Sequence, residues 1–448
     1  MTITPIILAA GKGTRMRSNV PKVLHPILGK PMIWYALQAS HAVTSEKPVI
    51  VVGHQAERVQ EVLGDRARFV LQEEQLGTGH AVEQAKSLLQ GETEYVLVTY
   101  GDMPLLTGDT LKKLVDAQRF HEGPMSILTV TVDDPRGFGR IVRDEDGNVQ
   151  AIVEEAEATP EQLAIRELNT GVNCFSAAWL WQALSKIELS SAGEYYLTDL
   201  VEIAVSEGRS VKAISIADAD EMIGVNTRIH LAEASTKMQQ RINRKWMLAG
   251  VTIQDPRSTF IEPDVTIGRD TVLGPNTHLQ GETVIGEACN LGPNTIVRDT
   301  KMGDRCEVLA SVLEQAEMED DVDIGPFGHL RKGAHLADGV HMGNFGEVKN
   351  SYLGPGTKMG HFSYLGDATT GPDVNIGAGT ITCNYDGVKK HPTDIEAGAF
   401  IGSDTMLVAP VRIGKGARTG AGAVVTKDVD EHTLAVGMPA RSIRKVEE

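Results

Sequence analysis

A chain of 448 residues is too long for one hydrophobic core, and two or three domains are expected. Its 43 basic and 60 acidic residues leave a net charge of −17, which keeps the protein in solution and excludes a nucleic-acid partner held by a basic surface. Cys174, Cys289, Cys306 and Cys383 show no paired metal spacing and read as reduced thiols; no segment reaches the roughly 18 apolar residues that span a bilayer, so a cytoplasmic protein with no membrane partner is expected.

Residues 4 to 10 read as a buried strand running into Gly11-Lys12-Gly13-Thr14, with Arg15 just beyond. A strand, a glycine turn and basic residues can cradle phosphate, because exposed N–H groups meet oxyanions without side-chain obstruction; a plain tight turn has the same pattern. It is neither a Walker A loop nor the dinucleotide fingerprint, since Met16 stands at the third glycine position. Pro48 to Val52 is a predicted strand ending at Gly53, a helical stretch follows, and Tyr95 to Thr99 is another strand ending at Tyr100-Gly101-Asp102. Alternating strand and helix imply a parallel sheet covered on both faces, with ligands at the carboxyl ends of its strands. Asp102 sits at such an end, where it fits a turn or helix cap by itself and a hard oxygen ligand for Mg²⁺ beside a triphosphate loop. Gln72 and Gln75-Leu76-Gly77-Thr78-Gly79-His80 form a glycine-bracketed turn into a helix, with Thr78 as its expected cap; amides and polar side chains there can read a nucleobase edge. Gly137-Phe138-Gly139-Arg140-Ile141, Val153-Glu154 and Leu168-Asn169-Thr170-Gly171 lie in alternating, strand-like segments.

Leu8-Ala9-Ala10-Gly11-Lys12-Gly13-Thr14-Arg15-Met16, followed by Pro21-Lys22-Val23-Leu24, resembles the signature of sugar-1-phosphate nucleotidylyltransferases. With the later segments, the chain resembles over nearly its whole length the family of bifunctional N-acetylglucosamine-1-phosphate uridyltransferases and glucosamine-1-phosphate acetyltransferases. That resemblance implies that Leu8, Ala9, Ala10, Gly11, Lys22, Gln72, Gly77, Thr78, Tyr100, Gly101 and Asp102 line a uridine nucleotide site. Gly139, Glu154, Asn169 and Asn226 would complete its amino-sugar side, and Asp102 and Asn226 would hold Mg²⁺. Arg15, facing the leaving pyrophosphate, and Lys22 would neutralise phosphate charge as the catalytic side chains.

From Asn226 to Gly250, Met238, Ile242 and Trp246 recur at i, i+4 and i+8 among many charges, the pattern of an amphipathic helix capped by Asn226 or Thr227 and ended by Gly250. It reads as a strut between two domains. The expected division is 1–225, a nucleotidyltransferase domain; 226–250, the linker helix; and 251–448, a repeat domain with a C-terminal tail.

In that third region an apolar residue returns at every sixth position: Ile267, Leu273, Leu279, Ile285, Leu291 and Val297, then Met318, Ile324, Leu330, Leu336, Met342 and Val348, then Leu353, Met359 and Leu365, and last Ile401, Leu407 and Ile413. The next residue is very often glycine. A period of six fits neither a helix nor a two-faced strand, and it fits a hexapeptide β-helix whose teeth point into a narrow prism. The comb resembles the left-handed parallel β-helix of hexapeptide acyltransferases, which pack as homotrimers.

Polar residues stand where a featureless prism does not need them. His361 follows tooth Met359 and Gly360 on a regular coil, and an imidazole can take a proton from an ammonium substrate. The comb breaks at 382–392, and such an excursion from a solenoid usually marks the functional face. GHFSYLGDA and NIGAGTITCNYDG resemble the acetyltransferase half of the same family. The resemblance makes His361 the general base, puts Arg331, Lys349, Tyr364 and Asn375 on glucosamine-1-phosphate, and puts Ala378, Asn384, Tyr385, Ser403 and Ala421 on acetyl-CoA, with UTP and acetyl-CoA as co-substrates. Near the end, Met438 stands where the family has a basic coenzyme contact, a departure that leaves open which residue makes that contact, with Arg441 as one candidate. A nucleotidyltransferase for another sugar, with a non-catalytic β-helix, would lack the cluster around His361.

Overall fold

Ile3–Ala9 carries the unbroken apolar run of a strand buried on both faces, and six of its seven residues are buried. In the computed structural model, which describes residues 2–135 and 137–437, it lies inside a nine-stranded sheet. The main path runs Val211–Ser215, Met125–Thr131, Glu167–Ser176, Tyr95–Tyr100, Ile3–Ala9, Val49–Val52 and Arg68–Leu71. The sheet is mixed, which corrects the parallel one expected: Glu167–Ser176 runs antiparallel to both neighbours. Its chain arrives from the off-path hairpin of Arg140–Arg143 and Val149–Val153 and not from a crossover helix. The parallel strands ending at Ala9, Val52, Leu71 and Tyr100 share one carboxyl edge, so Ala10, Gly53, Gln72 and Gly101 all emerge there.

The helix expected at 226–250 runs Arg228–Leu248. Thr227 caps it by accepting from His230 N at 3.2 Å, and Gly250, at φ +97°, follows its end. The chain divides into two compact units between Met238 and Gln239, inside this helix and not at its ends. Its second half closes the prism: Gln239 and Asn243 donate to Thr259 O at 2.8 and 3.0 Å, Asn243 also to Pro256 O at 2.9 Å, and Trp246 and Ile242 pack on the prism core. That surface covers Ile242 and Trp246, two of the three apolar positions of the stripe read as a strut.

The second unit is a three-faced parallel β-helix. Every third strand pairs, giving sheets of eleven, ten and nine strands that begin at Thr252–Ile253, Phe260–Ile261 and Thr266–Ile267. Every tooth of the predicted comb is buried. Along the first face, Leu273, Leu291, Val308, Ile324, Met342 and Met359 pair in turn, at spacings of 18, 17, 16, 18 and 17 residues. Those shortened coils are the cause of the frame shifts, and they hid Met302, Val308 and Leu313, which are teeth as well. The glycine after a tooth leaves out a Cβ that would crowd the next coil: on Gly343 it would sit 2.0 Å from Gly360 O. Left-handed backbone occurs at other positions, such as Asp270, Asn276 and Asn294, with φ between 56° and 63°, and after a tooth at Gly292 and Gly325, with φ of 105° and 114°. Inside the prism, buried Thr277, Thr283, Thr380 and Thr405 donate to corner carbonyls at 2.6 to 2.8 Å, so their hydroxyls cost little to bury.

Candidate functional site

At the carboxyl edge of the N-terminal sheet a cavity of about 740 Å³ is lined by Leu8, Ala9, Ala10, Gly11, Lys22, Gln72, Gly77, Thr78, Tyr100 and Asp102, ten residues expected there. Gly101 is buried behind it, donating to Leu8 O at 3.0 Å. Arg15 is exposed on the one-turn helix Thr14–Met16 and does not line the cavity. Gly13 does structural work: at φ +60°, its position would put a Cβ 2.7 Å from Lys22 Cβ, so only glycine lets the loop lie against that lysine.

An adjoining cavity of about 920 Å³ shares Thr78, Tyr100 and Asp102 and adds Gly139, Glu154, Asn169 and Asn226, the expected sugar side. Asn169 opens an irregularity in its strand, where Gly171 N donates to Asn169 Oδ1 at 3.0 Å. Burial raises the Glu154 carboxyl, opposed by a hydrogen bond from Thr198 and reinforced by Glu157 and Glu194. Burial, then Asp102 and Glu154, also raises the Tyr100 phenol, which therefore stays a protonated donor.

Val225 N donates to Asp102 O at 2.9 Å and so brings Asn226 beside Asp102, 124 positions earlier in the chain. Lys22 Nζ forms an ion pair with Asp102 Oδ2 and donates to Asn226 Oδ1 at 3.0 Å. The two oxygens expected on Mg²⁺ thus converge on one cation. Among the described residues no cluster of three or more His, Cys, Asp or Glu is gathered for a metal. A carboxylate and an amide oxygen completed by substrate phosphates suit Mg²⁺ without such a cage.

On the prism, His361, Ala378, Ser403 and Ala421 each stand two residues beyond a tooth position, at the corner after the first face, in four successive coils. At about 4.8 Å per coil, that column is ~14 Å long. Asn375 lies on the first face, paired with Lys358 and Phe400. Arg331, Lys349 and Asn384 lie at the far end of the second face, so the expected acetyl-transfer residues fall at two corners. Tyr364 is on that second face; its hydroxyl and Asn384 Nδ2 crowd the space over Gly366, 2.2 and 2.7 Å from where a Cβ would lie. Asn384 donates to Asp367 at 2.5 Å, and Tyr385, 61% exposed, bonds Gly387 O within the excursion. Lys390, and after it Arg331, holds the Lys349 ammonium below its ordinary value by like-charge repulsion. Three cations therefore gather at one corner. Met438 and Arg441 lie outside the described residues.

Some residues at the two cavities carried no motif. Glu194 to Leu197 wall the cleft formed by these two cavities: Gly79 N donates to Tyr195 O at 2.9 Å, Tyr195 N to Leu76 O at 2.8 Å, and Leu197 N to Thr78 Oγ1 at 3.0 Å. Thr78 is accordingly the first residue of its helix and not the cap expected; Gly77 holds that place. Lys390 was legible only as one of several charges in the excursion.

The nucleotidyl transferase family matches residues 4–247, the bacterial transferase hexapeptide (six repeats) matches 264–299, and the hexapeptide repeat of succinyl-transferase matches 392–427. The chain is 49% identical to the bifunctional protein GlmU of Heliobacterium modesticaldum over 99% of its own length and 97% of that protein's. It is 47% identical to the protein of that name from Pelobacter propionicus, over 97% of this chain and 95% of the relative, and 47% identical to that of a Geobacillus species, over 98% and 96%. With an N-terminal nucleotidyltransferase sheet and a left-handed hexapeptide β-helix in one chain, the protein belongs to the bifunctional GlmU family.

Proposed function

We propose that the two halves act in turn on one amino sugar to make UDP-N-acetylglucosamine. The observation that carries this reading is the pairing, in one acidic chain, of the Lys22–Asp102–Asn226 cleft with a hexapeptide prism bearing His361 and three clustered cations. On the prism, Arg331, Lys349 and Lys390 hold the phosphate of glucosamine-1-phosphate, and Tyr364 and Asn375 orient the sugar. His361 takes a proton as the amine attacks the thioester carbonyl of acetyl-CoA; the C–N bond forms, the C–S bond breaks, and coenzyme A leaves. Ala378, Ser403 and Ala421 supply a small-residue track for the coenzyme, with Asn384 and Tyr385 beside it.

In the cleft, the phosphate of N-acetylglucosamine-1-phosphate attacks the α-phosphorus of UTP in line, and pyrophosphate leaves. Gln72, Gly77 and Thr78 hold the base, Leu8 to Gly11 the ribose and phosphates, and Gly139, Glu154 and Asn169 the acetamido sugar. Lys22 and Arg15 neutralise phosphate charge. Mg²⁺ held by Asp102 and Asn226 would supply further charge neutralisation on the triphosphate. The 1–225, 226–250 and 251–448 division assigns one reaction to each end of the chain.

A homotrimer fits the placement of the acetyl-transfer residues at two prism corners, because a neighbouring copy can bring the second set to the first. Phe327 and Phe345, stacked at 5.2 Å and 59% and 60% exposed, occupy the corner column next to that of His361 and suit burial between copies. A cytoplasmic setting agrees with four free cysteines. No helix among the described residues is long and apolar enough to cross a membrane. The test is to supply glucosamine-1-phosphate, acetyl-CoA, UTP and Mg²⁺ singly and together. Pyrophosphate release from glucosamine-1-phosphate should require acetyl-CoA, and release without it would overturn the order. Sedimentation of the purified protein reads the trimer directly.

A further inference from the structure

We propose that His80 is a positioning residue that sets which way the Gln72 amide faces, so that the cleft selects a pyrimidine whose ring N3 carries a hydrogen; this deepens the reading of the cleft as a uridine site and rests on it. Gln72 is 3% exposed and lines the nucleotide cavity. Its Nε2 lies 3.1 Å from Gly77 O and 3.1 Å from His80 Nδ1. A backbone carbonyl can only accept, so the nitrogen end of the amide must face Gly77. The second amide hydrogen is then satisfied only if His80 Nδ1 accepts it, which leaves the imidazole proton on Nε2.

Both Gln72 donors are thereby committed inside the protein. Oε1 is what remains, and it is not among the buried polar atoms without a partner, so it keeps surface in the cavity. The loop cannot easily shift to reverse this arrangement. A Cβ on Gly77 would lie 2.6 Å from Tyr195 O, Ala81 N also donates to Gly77 O at 3.1 Å, and Gly79 N bonds Tyr195 O at 2.9 Å. An acceptor fixed in this way meets the imide N–H of uracil favourably and the lone pair of N3 in cytosine unfavourably. Specificity then comes partly from a side chain that need not touch the nucleotide.

The test measures pyrophosphate release from UTP and from CTP, each with N-acetylglucosamine-1-phosphate. His80→Phe removes the acceptor; KM for UTP should rise roughly tenfold with kcat little changed, and the UTP-to-CTP preference should fall by about the same factor, the usual worth of one hydrogen bond. His80→Asn places Oδ1 where Nδ1 was and should restore both values. An unchanged preference in His80→Phe, or His80→Asn impaired as badly as His80→Phe, overturns the proposal. In the unsubstituted protein, ¹⁵N shifts of the His80 ring should show the proton on Nε2, and a proton on Nδ1 also overturns it. Gln72→Ala separates the two layers: if UTP kinetics do not move in that variant, the uridine-site reading fails independently of His80.

Discussion

Asp102 and Asn226 share the Lys22 ammonium, so each is already held in place before any nucleotide arrives. Asp102→Ala should abolish uridyl transfer and leave acetyl transfer near normal, as read by pyrophosphate and free thiol release; equal loss of both would indicate misfolding. His361→Ala should slow acetyl transfer by about 10² to 10⁴, the worth of a positioned proton acceptor, with KM values little changed. Near wild-type turnover would return His361 to a surface role. Asp199 gives a prediction in pH. Burial first, then Glu202, Glu157 and Glu154, raises its carboxyl from 3.8 to about 6. A folded pKa above the unfolded one makes this group's contribution most favourable below pH 4 and progressively lost between 4 and 6. Asp199→Asn should therefore raise the unfolding midpoint at pH 7.5, by about 1 kcal/mol once solvent screening of this half-buried group is allowed for, and the gain should vanish near pH 4. A gain that persists at pH 4 would point to packing and not to charge.

At the scale of a coil, two glycines in the same column make a paired experiment. A Cβ on Gly343 meets Gly360 O at 2.0 Å, whereas one on Gly360 meets nothing closer than His341 Nε2 at 3.7 Å. Gly343→Ala should lower the unfolding midpoint, at a cost of about 1 to 3 kcal/mol, and Gly360→Ala should be nearly neutral. Equal effects would mean that the close approach of neighbouring coils is not what requires glycine. The comb itself was legible because a tooth is a local event: one apolar side chain, six residues after the last, pointing into the same prism. Coil length was less legible, since a corner that drops one or two residues shifts the phase without changing any tooth's chemistry, as between Leu291, Val308 and Ile324. The strand-to-turn motif from Leu8 to Gly11, which lines the cavity at the carboxyl edge of the sheet, was equally readable. The wall at Glu194 to Leu197 was not, because its role depends on a strand-free segment zipped to Leu76, Thr78 and Gly79 more than 115 positions away.

Across the whole molecule, the unit boundary between Met238 and Gln239 bears on how far the reactions are separable. The N-terminal unit has its own sheet and apolar clusters and holds every residue of the nucleotide cleft. A chain ending near Arg241 should keep uridyl transfer and lose acetyl transfer; soluble protein that binds UTP without ever releasing pyrophosphate would show that the cleft needs the second half. Such a chain loses Asn243 and the prism on which Gln239 is held, so its stability should come from the first unit alone.

The coil spacing of 16 to 18 residues has one more consequence. Each coil is bonded only to the coil before and the coil after, so the prism behaves as a linear array in which order spreads by nearest-neighbour coupling. One end of that array is sealed by the helix through Thr259, and Asn243 is completely buried there. Amide hydrogen exchange should therefore be slowest in the coils nearest Thr259 and should quicken along the axis toward Leu434–Ala435, with a step at the excursion where Ile376 pairs with Ile401 across 25 positions. Exchange at one uniform rate along the prism would mean that the coils open together as a single cooperative block.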